Sequence, residues 1–341
     1  MNYRDVTFMP SWWNERGFSF DEGFFIDENR RMRQDREMRR VLFDEYGHCG
    51  LGEKEPKLRP LMDTDLLAGE YLQAQLLGCE IEFFENALPY TKSLELDVDG
   101  LEGLSVPVLE DNAVWHLYSG QFERLINRFG RAESYIDLCG VQNLALAIRG
   151  YALFEDYYEA PQAARKTLGI ACETIIAAAS AISRYTPHTG IGIGVSAILG
   201  KQQPDAYLTS NCSCDMVSSQ VYEEFLLPMD AELAARFRPF GIHHCGQSME
   251  NLAEAYSKLS PEFIEIGANS DIEAVLAHFP KDTRVNLRFD PVALLTKTPD
   301  EIRRAVHEML RKAEGYPHIS ISSVGVDAKT DKNCVEALLI M

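Results

Sequence analysis

The segment "FGIHHCGQSMENLAEAYSKLSPEFIEIGAN", residues 240–269, contains the pattern that decides the fold. A short apolar run ending in "HHCG" is followed by a helical pattern, "SMENLAEAYSKL", and then by a second apolar run, "FIEIGAN". Short strands that alternate with single helices are typical of a parallel sheet, because the helix returns the chain to the edge where the next strand begins. The segment therefore predicts one strand–helix–strand unit.

The same alternation continues on both sides of this unit. Further strands are predicted at "CEIEFF" (79–84), "SYIDLCG" (134–140), "AYLTSNC" (206–212), "VNLRFDP" (285–291) and "HISISSVG" (318–325). Seven or eight such units favour a (β/α)8 TIM barrel over a doubly wound sheet, and the chain has no GxGxxG or GxxxxGK[ST] motif. We therefore expect an α/β chain with one barrel domain over residues 1–341, of which residues 1–60 form an N-terminal helical extension.

Composition excludes several classes of partner. The 341 residues carry a formal net charge of −19, and a field of that sign repels nucleic acid and anionic membrane surfaces. The first residues lack the features of a secretion signal, and no run of about 18 apolar residues follows. We expect a soluble, cytoplasmic protein. The 8 cysteines are scattered along the chain, so most are expected to be buried thiols.

The active site of a barrel lies at the carboxyl ends of its strands, and "HHCG" is such a strand exit. Residues two apart in a strand point to the same side, so His243 and Cys245 can bind one ion while His244 points away. Imidazole and thiolate are donors that zinc accepts, and a catalytic zinc site has three protein ligands and one open position. The alternative is a buried thiol beside a hydrogen-bonded imidazole.

A third ligand has to come from another strand exit. Asp215 is the first choice, because "NCSCD" (211–215) should leave the barrel one strand before "HHCG"; Cys214 is the second and Glu85 the third. The alternative for Asp215 is the N-cap of the helix that begins with "SSQVYEEF". His243, Cys245 and Asp215 are the candidate metal and catalytic residues, and Cys214 is the alternative third metal ligand.

Candidate substrate-binding residues lie in two places. The aromatic stretch "FMPSWWNERGFSFDEGFF" (8–25) contains Trp12 and Arg16 and is suited to cover an apolar pocket. Glu85 and Arg288 are placed at strand exits. Core packing of the aromatic stretch, and a structural ion pair between Arg288 and Asp290, are the alternatives.

Four long stretches resemble the uroporphyrinogen decarboxylase superfamily, which includes zinc-dependent, corrinoid-linked methyltransferases. They are "CGVQNLALAIRGYALFEDYYEAPQAARKTL" (139–168), "CDMVSSQVYEEFLLP" (214–228), "IHHCG" (242–246) and "HISISSVGVDAKTDKNCVEAL" (318–338). "IHHCG" is similar to the H-x-C-G of the methyltransferase branch, with His243 and Cys245 on the two ligand positions. The resemblance implies a (β/α)8 barrel, bound zinc and, as in other members, a homodimer.

The resemblance also implies an activity. It is the transfer of a methyl group from a small substrate, for example a methoxylated one, to the cobalt of a corrinoid carried by a separate protein. This chain has no D-x-H-x-x-G segment of a corrinoid domain, so a partner protein is required. Two departures stand out: Val324 occupies the position of a third zinc-binding cysteine, and "MPSWWNERGF" (9–18) keeps Arg16 without the second arginine that grips a polycarboxylate. Because Val324 removes a soft ligand, an oxygen-bound methyl group is the preferred donor.

Two other functions remain open. One is a metal-free decarboxylase, in which Asp63 or Asp65 of "LMDTDLL" (61–67) would be the acidic partner. The other is a barrel without catalytic activity that serves as a binding subunit, for which Val324 is the main argument. A bound metal ion distinguishes the methyltransferase from both.

Overall fold

The structure, a computed structural model, describes residues 3–62, 71–133, 137–186 and 206–340. One parallel sheet of six strands dominates it, with the spatial order β1-β8-β7-β6-β5-β4. Its strands are β1 (Tyr3–Phe8), β4 (Tyr207–Ser210), β5 (Phe240–His244), β6 (Phe263–Ile266), β7 (Arg284–Arg288) and β8 (Ile319–Val326). The prediction of parallel strands separated by helices is confirmed.

The sheet extends beyond β4 through isolated parallel bridges. Cys139 pairs with Ser210, so the chain at residue 139 runs beside β4, and Leu61 pairs with Glu133 in a second parallel bridge. The sheet is the wall of a (β/α)8 barrel, as the alternation predicts. The carboxyl ends of its strands share one rim, and the loops after β4 and β5 meet there.

Two of the predicted boundaries are wrong. "CEIEFF" does not enter the barrel wall, because β2 (Ile81–Glu82) pairs antiparallel with β3 (Tyr90–Thr91) in a separate two-stranded sheet. Conversely, β1 belongs to the wall, where it pairs with β8, so the extension predicted for residues 1–60 begins only after Phe8. The first half of β1 is only partly buried, so it can contain the charged residues Arg4 and Asp5. These residues interrupt the apolar pattern by which a strand is predicted.

The helices cover the outside of the wall and one of its ends. In the N-terminal half they are α1 (Pro10–Asn14), α2 (Glu22–Ile26), α3 (Glu28–Tyr46), α4 (Leu72–Leu76), α5 (Val98–Gly103), α6 (Ala113–Phe129), α7 (Val141–Arg149), α8 (Ala152–Glu159) and α9 (Pro161–Ile182). In the C-terminal half they are α10 (Ser219–Val221), α11 (Leu227–Arg236), α12 (Ala253–Ser257), α13 (Ile272–Leu276), α14 (Pro291–Thr296), α15 (Pro299–Lys312) and α16 (Lys332–Leu339). A π-helical turn, Tyr222–Leu226, joins α10 to α11.

Side-chain caps close the starts of several of these helices. Asp290 and Asp331 each accept a backbone N–H of the helix that follows, and Thr298 forms a capping box with Glu301. Such caps satisfy N–H groups that a helix leaves unpaired at its start. No helix of the described ranges combines the length and apolarity that crossing a bilayer requires.

Candidate metal centre

Three soft donors come together where β4 and β5 leave the barrel wall. The ligand atoms of Cys212, His243 and Cys245 all lie within 4.8 Å of one another. Ser210 is paired with His243 in the parallel register, so Cys212, two residues after Ser210, comes beside Cys245, two residues after His243. The alternation of the strands and their register therefore place the three side chains in one group.

Glycines allow these strand exits to approach each other closely. A side chain at Gly140 would lie 2.1 Å from the carbonyl oxygen of Ser210, and one at Gly246 would lie 2.6 Å from the Asp215 carboxylate. Neither distance leaves room for a methyl group. The backbone after Cys139 and the turn after Cys245 are thus packed directly against the residues around Cys212.

A buried carboxylate lies behind His243. Glu265, opposite His243 in the register with β6, is fully buried. Its Oε2 atom lies 3.1 Å from His243 Nδ1, in an ion-pair contact rather than an aligned hydrogen bond. Its Oε1 atom accepts a hydrogen bond of 2.5 Å from Arg288. One ring nitrogen of His243 therefore faces a carboxylate, and Nε2 remains for an ion.

These contacts shift the protonation of the cluster. Burial acts to lower the pKa of His243, but the Glu265 carboxylate and the Cys245 sulfur raise that pKa well above its usual value. A hydrogen bond from Cys212, together with the positive charge of His243, lowers the pKa of Cys245 well below its usual value. These contacts favour the thiolate, which is the form that binds metals.

Two of the three donors, His243 and Cys245, line a cavity of about 390 Å³ at the carboxyl rim. His243, Cys245 and Arg288 contribute to its lining, and so does Val324 from β8. Other parts of the wall are largely apolar and include Leu88 and Pro89. Asp137 and Asn143 add polar groups from the neighbouring strand exit.

The structure separates His244 and Cys214 from the donors. His244 is fully buried, and its Nδ1 atom lies 3.0 Å from the hydroxyl of Tyr256 on α12, so it points away from the cavity, as predicted. Burial raises the pKa of Cys214 well above its usual value, which keeps that residue a thiol. Cys214 is not in the donor group.

Asp215, the first choice for a third ligand, is also outside the donor group. Its carboxylate accepts the backbone N–H of Gln247 at 3.2 Å and packs against Gly246. It therefore supports the turn that follows Cys245. It is not the N-cap of α10 either, since Ser218 holds that position.

The candidate substrate-binding residues fall into two sets. Arg288 lines the cavity, whereas Trp12, Arg16 and Glu85 are not among its lining residues. Trp12 is buried against Phe8, and Arg16 stacks on the Trp12 ring and pairs with Glu45. The side chain of Glu85 is exposed. The aromatic stretch is thus core of the extension, and Asp63 and Asp65 lie outside the described residues.

Sequence reasoning missed Cys212 and Glu265. "NCSCD" offers three candidate donors, and only the register of β4 with β5 distinguishes Cys212 from the other two. Glu265 had a sequence signal, since a lone carboxylate inside the apolar run "FIEI" is costly unless it is paired.

The donor set fits zinc. Two sulfurs and one imidazole nitrogen are typical zinc ligands, bound at about 2.0–2.3 Å, and three of them leave one coordination position open. Donors that share such an ion lie within about 4 Å of one another, so the observed group is close to that arrangement. The carboxylate behind His243 is the usual partner of a zinc-bound histidine.

Comparison with known proteins gives a family and a fold. Residues 67–340 match the family model described as uroporphyrinogen decarboxylase (URO-D). A solved structure of a methyltransferase from Methanosarcina mazei superimposes with a TM-score of 0.68 at 16% sequence identity, covering 99% of this chain and 91% of that one. At this identity the likeness concerns the fold. No protein of curated function matches the chain in sequence.

Proposed function

Since this chain belongs to the uroporphyrinogen decarboxylase family, we propose that it is a zinc-dependent methyltransferase. In this proposal a methyl group moves from a small substrate to the cobalt of a corrinoid held by a separate protein. One observation carries the proposal: two thiols and an imidazole converge at the carboxyl rim of the barrel, and two of these three side chains, His243 and Cys245, line a small cavity. The methyltransferase with the similar fold agrees with it.

The proposed metal ligands are Cys212, His243 and Cys245, with Cys212 in place of Asp215. When bound, zinc supplies Lewis acidity toward the donor atom of the substrate. The chain's own residues prepare the site. Glu265 orients the His243 ring and fixes the proton on Nδ1, and Arg288 balances the charge of Glu265, so that Nε2 is available as a ligand.

The cavity suits a small methylated molecule. Its volume of about 390 Å³ and its apolar walls favour a compact, largely apolar substrate. Asp137, which accepts a hydrogen bond from Ser210, and Asn143 are placed to orient a polar group of that substrate. The preference for an oxygen-bound methyl group depends on the absence of a sulfur ligand at Val324. Since Cys212 supplies a second sulfur, the donor atom is left open.

The cavity is poorly suited to bind a substrate with several carboxylates. Among the lining residues of the described ranges, Arg288 is the one arginine, and its side chain is already paired with Glu265. Several free cations would be needed to bind a substrate with many carboxylates. The metal-free decarboxylase therefore receives no support from the described residues, although Asp63 and Asp65 lie outside them.

Methyl transfer can be tested with free cobalamin in place of the corrinoid protein. Zinc-loaded chain is mixed with chemically reduced cobalamin and, in separate reactions, a methoxylated benzoate, methanol and a methyl thioether. The proposal predicts that at least one of these three substrates gives methylcobalamin, which is detected by its absorption spectrum. Cys214→Ser is the matched control for Cys212→Ser, because Cys214 is a neighbouring thiol outside the donor group.

Cys214→Ser is expected to retain the transfer and Cys212→Ser to lose it. The proposal fails if the wild type binds zinc at Cys212, His243 and Cys245 and yet transfers a methyl group from none of the substrates. This has to hold with free cobalamin as the acceptor and also with corrinoid proteins encoded beside its gene. The proposal also fails if Cys212→Ser retains both zinc and transfer.

A further inference from the structure

A second polar cluster lies between the barrel wall and the helices outside it. Its members are Asn211, Tyr222, Asp230, His244 and Tyr256, and each is at most 2% exposed. None of them is among the residues that line the cavity. Burial of five polar side chains is costly unless they are paired with each other, so the cluster calls for a physical explanation.

Asp230 is the hydrogen-bond acceptor at the centre of one half of the cluster, which consists of Asn211, Tyr222 and Asp230 and lies behind β4. Its Oδ2 atom accepts a hydrogen bond of 2.5 Å from the hydroxyl of Tyr222 and one of 2.7 Å from the side-chain amide of Asn211. Tyr222 begins the π-helical turn that precedes α11, and such turns are frequent at functional sites. Asn211 is thereby held to the helices, and it is the residue immediately before Cys212.

His244 and Tyr256 form the half behind β5. His244 Nε2 lies 3.2 Å from the carbonyl oxygen of Gln247, which can only accept, so Nε2 is the donor. On the other side of the ring, Nδ1 lies 3.0 Å from the Tyr256 hydroxyl. Both nitrogens of the ring are therefore engaged in hydrogen bonds.

The two halves act on the backbone that carries the donors. His244 stands between His243 and Cys245 in the chain, and its bond to Gln247 closes the turn after Cys245. The N–H of Asn211 donates to the carbonyl oxygen of His243 at 2.8 Å, which joins the two strand exits. The rings of Tyr222 and Tyr256 meet edge to face at 5.1 Å and connect the halves.

We infer that Tyr256, acting through His244, and Asp230, acting through Asn211, are positioning residues for the Cys212, His243 and Cys245 donors. The inference rests on the proposed metal site. Its physical basis is that ligands bind an ion tightly only when their own positions are already fixed by surrounding hydrogen bonds. Apolar side chains would fill the same space without holding the two strand exits in register with each other.

The test compares two buried tyrosines. Tyr256→Phe removes the hydroxyl that forms a hydrogen bond with His244. Tyr207→Phe removes a hydroxyl that has no hydrogen-bond partner among the described residues, although Tyr207 is also buried, on β4. Zinc affinity is measured by competition with a chromophoric chelator, and the absorption spectrum of the Co²⁺-loaded protein reports the donor geometry. Thermal unfolding of the metal-free proteins monitors the fold.

Tyr256→Phe is expected to bind zinc about 10–100-fold more weakly than the wild type and to alter the Co²⁺ spectrum. Tyr207→Phe should match the wild type in both. Equal affinities and spectra for all three proteins would overturn the inference, as would equal weakening by both substitutions. If Tyr256→Phe does not fold, Tyr222→Phe, which removes a donor to Asp230, is measured against the same control and with the same expectation.

The result is separable from that of the proposed function. If the wild type binds zinc and His243→Ala does not, the metal site stands, and an unaffected Tyr256→Phe overturns only the positioning role. If the wild type binds no zinc, the metal site and the positioning role fail together.

Discussion

Glu265 holds the ring of His243 from behind: its Oε2 atom lies 3.1 Å from His243 Nδ1, while its Oε1 atom is fixed by Arg288 at 2.5 Å. All three side chains are at least nine-tenths buried. The contact determines which nitrogen of His243 faces an ion, and it makes the donors depend on a third strand, β6.

Replacing Glu265 with glutamine should weaken zinc binding without unfolding the protein. The amide keeps the shape but removes the charge that fixes the proton on Nδ1, and the loss of such a partner typically costs 10–100-fold in metal affinity. Chelator competition measures the effect. Glu232→Gln is the matched control, since Glu232 forms an exposed pair with Arg236 on α11 and should leave the affinity unchanged. An unchanged affinity in Glu265→Gln would contradict the role given to the carboxylate.

Removing Arg288 should destabilise the protein. Arg288→Met leaves the fully buried Glu265 without its guanidinium partner, and breaking such a pair costs about 3–5 kcal/mol. The free energy of unfolding in urea measures this loss. The double substitution Arg288→Met with Glu265→Gln should lose less than the sum of the single changes, because no buried carboxylate is left without its guanidinium partner. Strict additivity would show that the two side chains are not energetically coupled.

Filling the cavity should separate substrate binding from metal binding. Val324 lines the cavity but offers no ligand atom, so Val324→Phe is expected to lower kcat/KM for methyl transfer by at least about tenfold, equivalent to about 1.4 kcal/mol. Zinc content should remain that of the wild type. Val108→Phe, the same substitution at an exposed position, is the matched control. Undiminished transfer in Val324→Phe would show that the substrate binds elsewhere.

Stability should depend on pH through Asp230. Burial raises its pKa to about 6, against the opposing effect of hydrogen bonds from Tyr222 and Asn211. Between pH values of about 4 and about 6 the folded protein therefore holds a proton that the unfolded chain has lost. The Asp230 contribution to the free energy of unfolding is thus complete at low pH and falls by about 3 kcal/mol as the pH rises through this window.

Asp230→Asn removes this titration and isolates it from the other carboxylates. The difference in free energy of unfolding between the wild type and Asp230→Asn should shift by about 3 kcal/mol between pH 4 and pH 7, in the direction that favours the wild type at the lower pH. Urea denaturation at several pH values measures it. A difference that does not vary with pH would mean that Asp230 titrates normally.

Most of the fold and two of the three donors, His243 and Cys245, can be predicted from the sequence. His243 and Cys245 could be paired from the period of a strand alone, because side chains two apart share a side. Cys212 could not be selected from "NCSCD", since that choice depends on the register Ser210↔His243, a relation between distant segments. Likewise β1 was missed because Arg4 and Asp5 are tolerated in its half-buried beginning.

The central claim is that Cys212, His243 and Cys245 bind one zinc ion, and X-ray absorption at the zinc edge tests it directly. The account predicts about one zinc per chain with two sulfur ligands, one of which is lost in Cys212→Ser. His48, Cys49 and Glu336 form a second, more exposed group of potential ligands. His48→Ala is therefore measured alongside, to determine how much zinc binds at that second group. A zinc-free wild type after loading, or a sulfur count that is unchanged in Cys212→Ser, would contradict the claim.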